Sequence, residues 1–259
     1  MPPLVEFHNV SVARGQRRVL DSITFSIAEG EHAAILGPNG SGKSTLLRAV
    51  ARDFYPLQSG APSWVRVLGR DRWNIFDLRP LLGIVSDELM AACRRDLTAR
   101  EAILSGFFSS IGLWTNHQVT AAMHARTEQV LATLEIERLA DRPVEEMSAG
   151  ESRRVLIGRA LVHDPRALIL DEPANSLDHR AMLELRDILR KLARGGISLI
   201  LATHHLPDII PEIDRVILLK DGRIFRDGAK HDVLRSDVLS ELFGGAAEVV
   251  PRDGYFQLW

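Results

Sequence analysis

The chain has 259 residues, a formal net charge of -2 and a single cysteine, Cys93. This length suits one large α/β domain, or such a domain with a lobe inserted in it. The balanced charge excludes a global basic field of the kind that attracts nucleic acid. A single cysteine excludes a disulfide framework and a cysteine-rich metal site, so we expect a reducing compartment.

The sequence shows no sign of a segment that would direct or anchor it in a membrane. Its beginning has neither a basic stretch nor a long apolar stretch, and we expect no signal peptide. The longest apolar runs, such as residues 197–202, are much shorter than the roughly 20 residues that a spanning helix needs. We therefore expect a cytoplasmic protein that other chains hold at the inner face of the cell membrane.

The N-terminal part of the sequence consists mainly of predicted strands. Alternating or continuous apolar patterns predict strands over residues 4–10, 23–27, 33–36, 65–68 and 82–85. A helix is predicted over residues 43–52, directly after a glycine-rich loop. The order strand, loop and helix is the setting that a phosphate-binding loop requires.

Residues 37–45 match the phosphate-loop pattern G-x-x-x-x-G-K-[ST]. Its glycines allow positive φ and let backbone N–H groups approach phosphate oxygens, while the following helix directs the positive end of its dipole at the anion. Lys43 adds a charge for the β- and γ-phosphates, and the Ser44 hydroxyl is a predicted Mg²⁺ ligand. The predicted nucleotide-binding residues here are Gly37, Pro38, Asn39, Gly40, Ser41, Gly42, Lys43, Ser44 and Thr45. Taken alone, the loop fits kinases, GTPases and ATPases equally well.

The pattern changes to helices between residues 87 and 147, which we predict to be an inserted helical lobe. Thr98 and Glu101 form a predicted capping box, and residues 117–134 a long helix. The α/β pattern then resumes. Helices are predicted over residues 151–163, 180–194 and 231–243, and strands over residues 167–171, 197–202 and 215–220. Residues 220–223 signal a hairpin turn, and Gly195 and Gly196 a helix end. The tail, residues 244–259, has no assignment.

An apolar strand over residues 167–171 ends in two carboxylates, Asp171 and Glu172. Ligands of open α/β sheets bind at the carboxyl ends of strands. We therefore predict that Asp171 holds Mg²⁺ and that Glu172 polarises the water that attacks the γ-phosphate. The alternative is a solvated acidic strand end, which the phosphate loop makes the weaker interpretation.

Residues 147–151 read Met-Ser-Ala-Gly-Glu before a helix. Here the sequence resembles the ABC ATPases, whose signature reads Leu-Ser-Gly-Gly-Gln; Ser148 and Gly150 match, and the other three positions depart mildly. A serine hydroxyl and N–H groups at a helix N-terminus form an anion site. The resemblance implies that Ser148, Gly150 and Glu151 contact the nucleotide held by a second copy, which closes a twofold dimer. The alternative for this segment alone is an ordinary serine cap.

The resemblance extends over about residues 4–243. Residues 175–178, Asn-Ser-Leu-Asp, resemble the family's D-loop, and Thr203-His204 resembles its switch-histidine segment. The resemblance implies that His204 hydrogen-bonds the γ-phosphate and helps orient Glu172 and the water; no role is implied for His205. An isolated histidine would more often be structural.

Two positions depart from the family pattern. Where the family often stacks an aromatic residue on adenine, Arg14 stands just before Gly15, and a guanidinium can stack on a base. The alternative, which the sequence favours equally, is that Arg14 is an exposed arginine in a turn and has no role in binding. Where the family usually has a glutamine that reaches Mg²⁺ and the water, Ser86 follows the strand over residues 82–85. Its hydroxyl can accept a metal-bound water but reaches less far.

The resemblance implies a P-loop NTPase core with an N-terminal antiparallel β subdomain and an inserted α-helical subdomain. The expected division is 1–86 for the first part of the core, 87–147 for the helical subdomain, 148–243 for the second part and 244–259 for the tail. The implied function is the ATP-hydrolysing subunit of an ABC transporter, with ATP and Mg²⁺ as ligands, a homodimer as the working form and separate membrane permeases as partners.

Two other classes remain open. A soluble ABC ATPase could act on DNA, ribosomes or a protein, but the genome-maintenance members need a very long coiled coil between loop and signature. The span from Lys43 to Ser148 leaves room only for the helical lobe, and translation-type members usually carry two such domains. A P-loop kinase would leave the signature and D-loop segments unexplained.

Overall fold

A computed structural model describes residues 2–58, 60–93 and 97–259. The strands in chain order are β1 (Val5–Arg14), β2 (Arg17–Ile27), β3 (Ala33–Leu36), β4 (Trp64–Val67), β5 (Leu82–Val85), β6 (Ala167–Asp171), β7 (Ser198–Thr203), β8 (Arg215–Lys220), β9 (Arg223–Ala229), β10 (Val249–Arg252) and β11 (Tyr255–Leu258). The helices are α1 (Lys43–Val50), α2 (Ile75–Leu78), α3 (Asp87–Cys93), α4 (Ala99–Leu104), α5 (Ala121–Thr133), α6 (Ala149–Leu161), α7 (His179–Arg194), α8 (Lys230–Val233) and α9 (Ser236–Phe243). Among the described residues, no helix combines the length and apolar character that crossing a membrane requires.

The chain divides into two compact units. The first contains the residues up to Asn74 together with Ala193–Trp259, and the second contains Ile75–Leu192. The finer division expected from the sequence, with boundaries after residues 86, 147 and 243, stays a prediction.

The first unit contains an antiparallel sheet in the strand order β2-β1-β4. Val5 and Phe7 are buried, and beyond a shift in register Val10 and Val12 are buried as well, as a half-covered antiparallel sheet requires. A two-residue turn joins β1 to β2, and Gly15 adopts the left-handed conformation there, with φ +60°. This turn places Arg14 at the end of β1, opposite Arg17.

A second sheet of this unit is mostly parallel. Strand β3 pairs in parallel with β7 and β8, and β8 pairs antiparallel with β9. All residues of β3 and β7 are buried, which explains the uninterrupted apolar runs over residues 33–36 and 199–202. Leu36 lies opposite Thr203, so the loop after β3 and the segment after β7 emerge at the same edge.

The C-terminal part of the chain differs from its predicted structure in two places. The single helix predicted over residues 231–243 is wrong, because α8 and α9 are separated at Leu234 and Arg235, which are not helical. The Leu234 side chain is instead buried in the core. The unassigned tail forms the antiparallel hairpin of β10 and β11, whose Phe256 is buried with its ring centroid 5.4 Å from that of His231.

The second unit places helices beside the parallel pair of β5 and β6. Helix α6 packs on β5, where a Cβ at Gly83 would lie 2.8 Å from the Ala160 carbonyl oxygen, so only glycine allows this approach. The capping box of Thr98 and Glu101 is confirmed at α4. The helix predicted from residue 117 begins at Ala121, because the Thr120 side chain accepts a hydrogen bond from the Met123 N–H and caps it.

Candidate functional site

The phosphate loop lies between β3 and α1 in the first unit, and its backbone requires glycine. A Cβ at Gly37 would lie 2.2 Å from the Leu219 carbonyl oxygen and 2.8 Å from Ser41 Oγ. Gly40 and Gly42 have φ of +79° and +109°. Gly42 is the N-cap of α1 and makes no side-chain capping bond. The first N–H groups of α1 therefore have no side-chain cap and suit an anion.

Lys43 is buried in this loop, with 5% of its surface exposed. Its Nζ donates hydrogen bonds to the carbonyl oxygens of Gly37 (2.8 Å) and Pro38 (3.3 Å). Ser41 Oγ is buried and has no hydrogen-bond partner among the described residues. The glycine-rich loop thus holds a buried ammonium group and a buried hydroxyl group that has no partner. A phosphate group could accept hydrogen bonds from both.

The segment that carries His204 adjoins this loop. The Gly37 N–H donates to the Thr203 carbonyl oxygen at 3.4 Å, so the loop and the end of β7 are joined directly. The His204 and His205 rings lie with centroids 3.7 Å apart. Thr203 Oγ1 donates to the buried Asp208 at 2.6 Å and accepts from the His205 N–H at 3.0 Å. Asp208 belongs to no sequence motif, because its contact with Thr203 depends on the turn after β7.

Arg14 lies on the exposed end of β1, with its guanidinium carbon 5.8 Å from the centroid of the Phe54 ring. The segment after Phe54 runs beside β1, because the Leu57 N–H donates to the Ser11 carbonyl oxygen at 2.7 Å. An aromatic ring therefore supports the arginine that the sequence places at the adenine position. Phe54 carried no motif that could have revealed this contact.

The proposed carboxylates lie in the second unit at the end of β6. Glu172 has φ +49°, and Ser176 has φ +63°, which are unusual for residues with a side chain. The Asn175 N–H donates to the Glu172 carbonyl oxygen at 3.1 Å. A tight turn over residues 172–175 therefore leads from Glu172 into the segment 175–178 that is expected to be the D-loop.

The signature segment caps α6. The Glu151 N–H donates to Ser148 Oγ at 3.2 Å, and the Ser148 N–H donates to the Glu151 carboxylate at 3.1 Å. Burial raises the pKa of Glu151, but the hydrogen bonds from Ser148 and from Arg138 outweigh it and leave the pKa below its usual range. A Cβ at Gly150 would lie 2.6 Å from Ala181 Cβ, so this position requires glycine.

Ser86 caps α3 in the same unit. Its Oγ accepts a hydrogen bond from the Leu89 N–H at 3.3 Å, and its carbonyl oxygen accepts one from the Met90 N–H at 3.0 Å. Val85 lies opposite Leu170, so Ser86 and Asp171 follow neighbouring parallel strands at the same edge. A hydroxyl has two lone pairs and one proton, so the cap leaves Ser86 able to bind a water.

The donors that the sequence assigns to a metal are all oxygen atoms: the hydroxyls of Ser44 and Ser86 and the carboxylate of Asp171. Within the described ranges, no group of three or more histidine, cysteine or acidic side chains forms a metal-binding cluster. Mg²⁺ prefers oxygen and is usually bound by one or two protein ligands with water and substrate phosphates. The residues present therefore fit Mg²⁺ better than a transition metal.

The sequence model of the ABC transporter domain matches residues 20–175. The chain belongs to the ABC transporter family. It is the ATP-binding subunit of an ABC transporter and has ATPase activity. The ABC transporter ATP-binding protein YlmA of Bacillus subtilis is 34% identical over 247 residues, covering 93% of this chain and 90% of that protein.

Two further comparisons extend the match. The hemin import ATP-binding protein HmuV of Nitrobacter winogradskyi is 30% identical over 259 residues, covering 96% of this chain and 91% of that protein. A dimeric ATP-binding cassette solved with ADP and phosphate is 26% identical, with a TM-score of 0.72, and the match covers 87% of this chain and 98% of that one. The P-loop α/β fold expected from the motifs is confirmed for this ABC subunit.

Proposed function

We propose that this ABC subunit drives transport as one half of a dimer that closes on ATP. The observation that carries the proposal is the loop of residues 37–45, which surrounds the buried Lys43 and contains the Ser41 hydroxyl without a partner among the described residues. The same chain has a serine cap at the start of α6, in the signature segment. The cradle residues 37–45 bind the phosphates, and the ammonium and loop amides balance the charge that grows on them during transfer.

The reaction is an in-line attack of water on the γ-phosphate. The bond from the water oxygen to phosphorus forms as the bond from phosphorus to the bridging oxygen of ADP breaks. Glu172 accepts the proton of the attacking water, and His204 hydrogen-bonds the γ-phosphate and keeps the water aligned. The polar contacts around Thr203 and Asp208 support this role, because they fix the backbone on either side of His204.

Ser44, Ser86 and Asp171 are the proposed oxygen ligands for Mg²⁺. When bound, Mg²⁺ neutralises charge on the β- and γ-phosphate oxygens. The Ser44 hydroxyl follows Lys43 at the start of α1, and Asp171 ends β6. Ser86 takes the place of a longer glutamine, and the N-cap contact with Leu89 holds its hydroxyl close to the strand end.

The second half of the site comes from the partner copy in this proposal. Ser148, Gly150 and Glu151 of one protomer would cap the γ-phosphate held by its twin, using the N-terminus of α6. The mutual hydrogen bonds of Ser148 and Glu151 support this, because they fix the hydroxyl and the first turn in advance. A related cassette is itself dimeric with ADP and phosphate bound.

Arg14 is proposed to stack on the adenine ring. Arg14→Ala is expected to weaken ATP binding about 5- to 30-fold, since a cation placed over an aromatic face contributes about 1–2 kcal/mol when desolvated. Arg17→Ala is the matched control, because Arg17 lies directly opposite on β2 and is also exposed. Equal ATP affinities of the two variants, measured by titration calorimetry, would leave Arg14 as an ordinary turn arginine.

We also propose that the chain works at the inner face of the cell membrane with separate permease subunits. Affinity purification of the tagged chain from native membranes is expected to recover a multispanning membrane protein, and the complex is expected to hydrolyse ATP faster than the chain alone. A purely soluble partner would favour the alternative, a non-transport ABC ATPase that acts on a protein or nucleic acid. A phosphorylated metabolite as product would point to a kinase.

A further inference from the structure

Asp87 connects three segments of the second unit that are distant in sequence. It begins α3 directly after Ser86. Its Oδ1 accepts a hydrogen bond from Arg153 Nη2 of α6 at 2.7 Å, and its Oδ2 accepts one from Asn175 Nδ2 at 3.2 Å. One carboxylate thus joins the strand end at Ser86, the signature helix and the turn after Glu172.

The contact with Arg153 fixes Asp87 to a buried side chain of α6. The Arg153 side chain is 5% exposed, and its Nε and Nη1 are buried with no hydrogen-bond partner in the part of the chain that the structure describes. A buried guanidinium depends strongly on a carboxylate partner. Asp87 is 53% exposed and supplies that carboxylate, so the buried arginine fixes where the carboxylate lies.

The contact with Asn175 connects Asp87 to Glu172, the proposed general base. The Asn175 backbone N–H closes the turn on the Glu172 carbonyl oxygen at 3.1 Å. Glu172 itself has a positive φ of +49°. A glutamate in this conformation stays there only when its surroundings hold it. The hydrogen bond from the Asn175 amide to Asp87 is one such restraint, and it anchors the turn to α6 through Arg153.

We propose that Asp87 is a positioning residue for ATP hydrolysis: it holds the Glu172 turn in register with the signature helix through Asn175 and Arg153. The proposal rests on the proposed role of Glu172. Asp87 acts on the geometry of the water-activating carboxylate and not on the phosphate loop around Lys43. Its loss should therefore lower kcat and leave the affinity for ATP unchanged.

The direction of the hydrogen bond between residues 87 and 175 provides the test. In Asp87→Asn, the new amide keeps its oxygen on Arg153 and turns its NH2 group towards Asn175, whose own amide must rotate by half a turn to accept from it, so this variant should weaken the restraint least. In Asn175→Asp, two carboxylates oppose each other. In the double variant Asp87→Asn with Asn175→Asp, the hydrogen bond is restored with donor and acceptor exchanged, while the new amide oxygen at position 87 still accepts from Arg153.

Asn175→Asp in the full chain is expected to lose about tenfold in kcat with unchanged KM, because small displacements of a catalytic group cost this much or more. Asp87→Asn is expected to lose less. The double variant is expected to regain most of the loss. Asn175→Ala, which leaves the pair of Asp87 and Arg153 intact, is expected to behave like Asn175→Asp. Asp141→Asn is the matched control, because Asp141 is 84% exposed in the same unit and pairs only with Arg100 among the described residues.

Wild-type kcat in Asn175→Ala, or a double variant no faster than the slower single variant, would overturn the proposal. Glu172→Gln, measured in the same assay, distinguishes failure of the positioning role of Asp87 from failure of the proposed role of Glu172. If Glu172→Gln abolishes hydrolysis while the residue-87 and residue-175 variants turn over normally, only the positioning role fails. If Glu172→Gln hydrolyses ATP at the wild-type rate, the proposed function and the positioning role both fail.

Discussion

Glu172→Gln is expected to bind ATP with normal affinity, to hydrolyse it at least about 100-fold more slowly and to accumulate as a dimer. The amide keeps the size of the side chain but cannot accept the proton of the attacking water, and general bases typically contribute about 10²- to 10⁴-fold to a rate. Only the γ-phosphate bridges both halves of the proposed site, so slow hydrolysis prolongs the closed state. Phosphate release and light scattering after size-exclusion chromatography measure the two effects.

The matched control for this prediction is Glu145→Gln, at an exposed glutamate before the signature segment. This variant should keep the wild-type rate and show no additional dimer with ATP. Replacing ATP by ADP should return the Glu172→Gln variant to monomer. A Glu172→Gln chain that hydrolyses ATP at the normal rate as a monomer would refute both the general-base role and the shared site.

Lys43→Ala is expected to weaken ATP binding by about 10- to 100-fold and to abolish measurable hydrolysis. Hydrogen bonds that involve a charged group contribute about 1.5–3 kcal/mol, and the ammonium that the phosphates would engage is lost. The substitution also leaves the carbonyl oxygens of Gly37 and Pro38 without their present donor. Fluorescence titration with a labelled ATP analogue measures the affinity.

Two variants accompany the Lys43 substitution. Arg48→Ala removes a cation from the last turn of the same helix, and it should leave both ATP affinity and rate intact. Lys43→Arg should not restore activity, because a planar guanidinium does not replace a compact ammonium in a tight cradle. Normal ATP affinity in Lys43→Ala would show that the loop does not bind the nucleotide through this residue.

The glycine-rich loop, the strand ends and the capping box of α4 could be predicted from the sequence because each depends on residues that are close along the chain. Gly37 to Ser44 form a contiguous pattern, and Thr98 with Glu101 form a cap within one turn. The mixed α/β fold followed from the same local signals together with the family resemblance. These features need little information about the rest of the molecule.

The features that the sequence did not reveal depend on contacts between distant segments. Arg153 and Asp87 are separated by 66 positions, and only the packing of α6 brings them together. The contact of Phe54 with Arg14 is a similar case. Asp208 is only five positions from Thr203, but its contact depends on the turn that the chain makes after β7. Of the eight residues in β10 and β11, Phe256 alone is buried, so the apolar residues of this hairpin do not follow the alternation of a core-facing strand.

The structure of the Glu172→Gln variant with trapped ATP would decide whether two copies share each nucleotide. We expect a twofold dimer in which the Ser148 hydroxyl of each protomer lies within hydrogen-bonding distance of the γ-phosphate held by the other protomer's Lys43. A structure with ATP in the loop and the N-terminus of α6 facing away from every triphosphate would contradict it.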